Sequence, residues 1–513
     1  MTRVRNIQLQ RPSSAKPQVY AKKLAELIQV AERLEDTNKL VHLLNFDLYT
    51  NMPVNGSDSR ARQMMHLTRM QSEQLRSKRL SNLVAYIRQS HGSDNFSQAL
   101  LDEVNKRIER ERKVSPKLEQ ELSETFAKAR VIWTKAKPAN DFKSFAKILE
   151  KIISLKKELA EQLGVNNSVY ETLLNEHEPG VTVEQLDEIF SFLRENIIPL
   201  LHQIQDTEKD IDTSFLSKRY DPRKQIEFSR LVLQHMGFDP SSISISEAAH
   251  PDCLFVGHND IRIVTQTFPH NPVPNITSTT HEGGHGLYYD GLGEDIVKTI
   301  LGTRSSWAMD EAQARFYETM IGLGMPFWSY FYPKFKQLFP TQLKGVSLEK
   351  FVRAINKVQP SLIRIDADEV TYNLHVILRH EIEKALFDGD LKVKDAPEYW
   401  NEKMESYFGI RPTNDTDGIL QDMHWADGYI CFFPCYTLGN LYAAQLYSKI
   451  CEEIPDLEEQ IAGGDLTHVR NWLRENVHRF GRLKSSGEII KDATGEELNP
   501  EYFIEYLNKK FIT

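Results

Sequence analysis

Residues 281–285 read His-Glu-Gly-Gly-His. On a helix, histidines at this spacing project from one face, and their imidazoles can share one metal ion. Glu282 turns roughly 100° away from His281, which suits a carboxylate that touches an activated water rather than the metal itself. The implied chemistry is that of a zinc hydrolase. Each of the two glycines in the motif costs about 1 kcal/mol in a helix interior relative to alanine. Their presence predicts close backbone approach, or open space, beside that helix. A catalytic zinc takes three protein ligands and leaves one position for water, so one ligand must come from another segment. Residues 308–322 have helical spacing and place Glu311, Arg315 and Glu318 near one face. Spacing alone leaves Asp310, Glu311 and Glu318 all open as the third ligand.

The elements that must hold these residues are mainly helical. From about Gln18 onward the i, i+3, i+4 pattern dominates, beginning with Leu24, Leu27, Ile28, Ala31 and Leu34. Similar stripes recur at 126–133, 145–163, 186–204 and 370–386, and Asp141 and Thr182 stand where helix N-caps belong. Just before the motif the pattern changes: 253–256, 257–260 and 261–268 read as strand, turn and strand. The edge of such a sheet can bind an extended peptide through main-chain hydrogen bonds. With no internal repeat or Gly/Ser linker, residues 19–513 read as one helical domain. Residues 1–18 read as a basic, disordered tail, carrying Arg3, Arg5, Arg11 and Lys16 before the first acid, Glu26. An organelle transit segment is the competing reading of that stretch.

Composition narrows the function. The 513 residues are 40% hydrophobic and 26% charged with a net charge of −9, as in a globular protein with a large core. Acids and bases are mixed, so no basic stripe marks a nucleic-acid surface, and no apolar run approaches the roughly 18 residues of a membrane span. Cys253, Cys431, Cys435 and Cys451 are too few and too scattered for a disulfide framework. They read as reduced thiols in a cytoplasmic compartment.

Several spaced motifs occur in one order. After His281-Glu-Gly-Gly-His285 comes Asp310-Glu-Ala-Gln-Ala-Arg315, then Ile363-Arg364-Ile-Asp-Ala367-Asp368, then Gly418-Ile-Leu-Gln421-Asp422-Met-His424-Trp425. Asp260-Ile-Arg262-Ile-Val264 precedes them, with Phe46-Asp47, Asn140-Asp141-Phe142 and Glu178-Pro179-Gly180 further upstream. Over residues 20 to 510 the chain resembles the M32, or carboxypeptidase Taq, family of metallocarboxypeptidases. The resemblance implies a mostly α fold, with a large helical body, a deep central groove and a small β-sheet beside the motif helix. It implies Glu311 as the third ligand of Zn2+, with Co2+ as a possible substitute, and Glu282 as general base. It makes Arg364 the first candidate to bind a substrate's C-terminal carboxylate and Arg262 the second, with His424 as donor to the developing oxyanion or to the substrate backbone and Tyr436 as a further donor to the tetrahedral intermediate. Substrates would be peptides with a free C-terminal carboxylate, and the assembly a homodimer. Cleavage of short peptides internally, or a metal-retaining scaffold without turnover, are the alternatives.

The chain also departs from the family pattern. Asp310 stands for a histidine, and Val264 for a threonine. The run Gly-Tyr-Phe-Pro-Thr-Tyr becomes Cys431-Phe432-Phe433-Pro434-Cys435-Tyr436, while Gln266 and Phe268 replace the usual Arg and Tyr. These changes bear on substrate preference and rate more than on metal binding.

Overall fold

The computed structural model describes residues 17–90, 94–207, 211–248 and 250–512. Most of the expected basic tail, 1–16, lies outside the described residues; the first helix, Pro17–Thr50, begins at the tail's predicted end. The predicted helices form, and the predicted caps close them. Asp141 accepts the backbone N–H of Ser144 (3.0 Å) ahead of helix Phe142–Leu163. Thr182 Oγ1 accepts from Gln185 N (3.2 Å) while Gln185 Oε1 accepts from Thr182 N (3.1 Å), a reciprocal cap ahead of helix Val183–Thr207. The apolar stripes of nearly all these helices merge into one continuous core.

A three-stranded sheet interrupts the helices. Strands β1 (Ile243–Glu247), β2 (Asp252–Gly257) and β3 (Asp260–Thr265) lie in the order β1-β3-β2, with β1 parallel and β2 antiparallel to β3. The β2–β3 hairpin is the predicted one, its turn passing through Asn259 at φ 62°, although β3 stops at Thr265 instead of continuing to 268. β1 was not anticipated.

Strand alternation separates the two faces of this sheet. Ile261 and Ile263 turn into the main core, and Val264 and Leu254 pack with Phe46 of the first helix. The motif helix, Val273–Asp290, covers the first face. Its Tyr289 ring stacks on Phe255 (5.1 Å, 5°). Its Asn275 Nδ2 donates to Thr265 Oγ1 (3.0 Å) and to the Gln266 carbonyl (3.2 Å), and its Ser278 Oγ lies 3.1 Å from Thr265 Oγ1. The sheet therefore fixes the start of the motif helix.

On the other side of the motif, buried polar groups on helix Tyr372–Asp388 hold the segment 421–431. Arg379 Nε donates to Asp422 Oδ2 (2.7 Å). Glu383, 1% exposed, accepts from Trp425 Nε1 (2.7 Å) and from Cys431 N (3.0 Å). Cys431 has φ 58°, the left-handed region that favours glycine. Its N–H bond to Glu383 ties down that unfavourable turn.

Burial pushes the Glu383 carboxyl up to about 7 from an ordinary 4.5. The stability it contributes is complete below pH 4.5 and is lost as pH rises through about 7. Glu383→Gln removes that titration. Denaturant unfolding at pH 4.5 and pH 8 is expected to show the variant gaining on the order of 3 kcal/mol relative to the wild type across this interval.

Candidate metal centre

Three donors converge. His281 Nε2 lies 3.9 Å and His285 Nε2 4.0 Å from Glu311 Oε2, and all three ligand atoms fall within 4.8 Å of one another. Both histidines come from the motif helix, and Glu311 from helix Trp307–Arg315, which runs on into a π-helical turn, Phe316–Gly322. A set of two imidazole nitrogens and one carboxylate oxygen could hold one divalent ion and leave a coordination position open.

The other ring nitrogen of each histidine is occupied. His281 Nδ1 is 2.8 Å from Glu318 Oε2, and His285 Nδ1 is 2.8 Å from Asp310 Oδ1. A carboxylate on Nδ1 fixes the tautomer, so that Nδ1–H donates and the Nε2 lone pair faces the shared point. The three acids that spacing left open are thus all in the site, in two roles. Glu311 faces the Nε2 atoms, while Asp310 and Glu318 sit behind the rings. Asp310 supplies His285 with its acceptor.

Cations hold these acids in turn. Arg315 donates from Nε to Glu311 Oε1 (2.9 Å) and from Nη1 to Glu318 Oε2 (3.1 Å). Asp310 Oδ2 accepts from Arg304 Nη1 (2.9 Å) and from the Tyr289 hydroxyl (3.1 Å). Burial would raise both orienting carboxyls, but their partners outweigh it. Arg315 and His281 hold Glu318 down to about 2, and His285 and Arg304 hold Asp310 lower still. Both remain ionised acceptors.

A cavity of about 230 Å³ opens in front of the three donors. Glu282, Trp307, Phe432, Cys435 and Tyr436 line it, together with Asp252 and Cys253 at the start of β2. β2 is an edge strand, so one edge of the sheet reaches the cavity. Burial pushes the Glu282 carboxyl well above the ordinary range; Asp252, Glu311 and Asp310 add to this and His285 opposes it.

The remaining sequence candidates divide. Tyr436 lines the cavity, whereas His424 stands behind it with Nε2 3.1 Å from the Tyr436 hydroxyl. Burial and the Arg364 charge push His424 down to about 3, so its ring is neutral. Arg364, 6% exposed, lies with its guanidinium carbon 5.3 Å from the Tyr436 ring centroid. Its Nε and Nη2 donate to Asp422 Oδ1 (3.1 and 3.0 Å) and its Nη1 to the Tyr372 hydroxyl (2.9 Å). Its sequence neighbour Asp368 bonds the backbone of Gln359, Val370 and Thr371 instead. Arg262 is not brought to the cavity. It forks onto Asp260 (3.0 and 3.1 Å) and lies over Phe46 (5.6 Å), on the sheet face turned from the motif helix.

Two glycines allow the donors to meet. A Cβ on Gly284 would stand 2.4 Å from the Gln313 carbonyl oxygen and 2.6 Å from Ala314 Cα. A Cβ on Gly439, in helix Pro434–Glu453, would stand 2.8 Å from Glu311 Cβ. The first contact is with backbone, which cannot swing aside, so the motif helix touches its neighbour's main chain as its glycines predicted. Sequence reading missed Gly439, Arg304 and Trp307; only the Glu311–Arg315 pair at i, i+4 carried a local signal. Gly284→Ala must push the two helices apart. Competition with a chromophoric chelator is expected to show metal affinity falling on the order of 10- to 100-fold, with the helical circular dichroism retained.

The chain matches the family model "Carboxypeptidase Taq (M32) metallopeptidase" over residues 26–511. Carboxypeptidase 1 of Bacillus subtilis (strain 168) is 38% identical over 489 residues, covering 95% of this chain and 97% of that protein. Among solved structures, the M32 carboxypeptidase of Deinococcus radiodurans R1 superposes with a TM-score of 0.93 at 32% identity, over 96% of this chain and 99% of its own. Metallocarboxypeptidase 1 of Trypanosoma cruzi gives 0.92 at 31%, over 96% and 100%. Agreement over nearly the whole length, in sequence and in fold, places the chain in the carboxypeptidase Taq (M32) family as a metallocarboxypeptidase.

Proposed function

We propose that His281, His285 and Glu311 hold a zinc ion, for which Co2+ can substitute, and that the enzyme releases residues singly from the C-termini of peptides. The observation that supports this most is the pairing of each histidine's Nδ1 with its own buried carboxylate, which leaves both Nε2 atoms directed at Glu311. Bound there, zinc would supply Lewis acidity and lower the pKa of a water toward ~7.

The chain's own residues do the rest. Glu282, buried at the cavity wall with raised proton affinity, takes a proton from the attacking water and returns one to the departing amine. Tyr436 donates its hydroxyl to the oxygen that gains charge, and neutral His424 holds that hydroxyl in place. Arg364 is assigned to the substrate's terminal carboxylate. Arg364 and Arg379 share the single acid Asp422 and leave the buried group with a net charge of +1, which an incoming carboxylate balances. Arg262, engaged with Asp260 on the far face of the sheet, has no part in this scheme. A cytoplasmic location, supported by four cysteines that form no disulfide, and a homodimer, supported by the family resemblance, complete the reading.

Glu282→Gln is expected to keep one metal per chain by atomic absorption while kcat/KM falls on the order of 10²- to 10⁴-fold. Wild-type enzyme should release single residues from free-acid peptides and none from their C-terminal amides. Internal fragments among the products would sink the exopeptidase assignment. Tyr436→Phe removes one donor without changing the cavity's shape. Steady-state kinetics should show kcat down on the order of 10²- to 10³-fold with KM little changed; a change confined to KM would move Tyr436 from the reaction to ground-state binding.

A further inference from the structure

A second and larger cavity, of about 610 Å³, lies behind the metal centre. None of its lining residues belongs to the cavity in front of the donors. Val181, Ile189, Phe192, Leu438 and Leu498 give it apolar walls. Its titratable groups are all acids, Glu178, Glu188, Glu497 and Glu501; no lysine, arginine or histidine lines it among the described residues, although Lys491 pairs with Glu497 (2.9 Å) from outside. Such a cavity suits an apolar body bearing positive charge.

Two polar groups in it are almost fully buried. Glu178 is 1% exposed, and no cation is placed to neutralise it; burial pushes its carboxyl up to about 7. Tyr442 is 3% exposed, and its hydroxyl has no hydrogen-bond partner among the described residues. A phenol left unpaired at this depth costs about 1–3 kcal/mol unless something in the cavity accepts or donates to it. The unpaired hydroxyl, the apolar walls and the acids Glu188 and Glu501, unpaired among the described residues, point to a ligand.

The same walls reach the metal centre. Leu438 and Tyr442 stand on helix Pro434–Glu453, beside Tyr436 of the front cavity and Gly439, which abuts Glu311. Glu178 Oε2 accepts the backbone N–H of Ala308 (3.1 Å), in the first turn of the helix that carries Glu311. An occupant that draws on Glu178 or displaces Leu438 therefore acts on the elements that place Glu311 and Tyr436.

We propose that this rear cavity is a second ligand site, taking an organic ammonium with an apolar body, and that its occupancy modulates turnover through helix Pro434–Glu453. The test uses the full-length, metal-loaded enzyme and two probes of matched shape, 2-phenylethylammonium and neutral 2-phenylethanol. Calorimetric titration should show saturable one-to-one binding of the ammonium, on the order of tenfold tighter than the alcohol. Glu188→Gln should weaken ammonium binding. Ile189→Trp, which fills the cavity from its wall, should abolish it, and with it any effect of the amine on kcat. In the wild type, saturating ammonium should change kcat at saturating peptide. Equal affinity for both probes, no saturable binding up to about 10 mM, or binding that only competes with peptide and survives Ile189→Trp would overturn the site. Binding with unchanged kcat would overturn its coupling to turnover.

Discussion

The distance between two helix backbones governs the candidate metal centre. The motif helix must lie so close to helix Trp307–Arg315 that position 284 has no room for a methyl group, because the Gln313 carbonyl oxygen and Ala314 Cα occupy that space. Only at this separation do His281, His285 and Glu311 bring their donor atoms within 4.8 Å. Gly439 repeats the constraint on the third side, where helix Pro434–Glu453 passes against the Glu311 side chain. Two short-range steric conditions thus set a geometry that a metal ion would otherwise have to enforce at the expense of its own affinity.

Electrostatics then decides what the close-packed site can do. Around the three donors, buried charges are balanced by specific neighbours. Arg315 spans Glu311 and Glu318, and Arg304 and Tyr289 secure Asp310. Removing one member of such a set strands a buried charge, at a typical cost of about 3–5 kcal/mol. This makes the network a strong determinant of geometry even though each pair adds little net stability. Asp310 illustrates the point: Arg304 neutralises it while it orients His285.

Much of this was legible in one dimension. The helix periods, the caps at Asp141 and Thr182, the hairpin before the motif and the need for close approach at the glycines all follow from local rules, and all are present. β1 escaped notice although Ile243-Ser-Ile-Ser alternates. Five residues are too short a window for period alone, and the strand's partner, β3, begins thirteen residues after it ends. Arg262 carried a motif and a suitable charge, yet strand alternation turns it to the face opposite the motif helix, where Asp260 engages it. Arg364 has acids close by in sequence, Asp366 and Asp368, but its partner is Asp422, 58 residues on.

By itself the sequence determined which groups could do chemistry: histidine spacing on a helix, a carboxylate offset from them, and glycines where bulk is excluded are local properties that survive without knowledge of the fold. The tertiary structure decided how the carboxyl groups divide their work. Asp310, Glu311 and Glu318 share one short segment and similar acidity, and spacing could not rank them. Which one meets the Nε2 atoms and which two meet Nδ1 depends on how the two helices cross and on where Arg304 and Arg315 hold each oxygen. Those relations join residues far apart in the chain, so no local pattern encodes them.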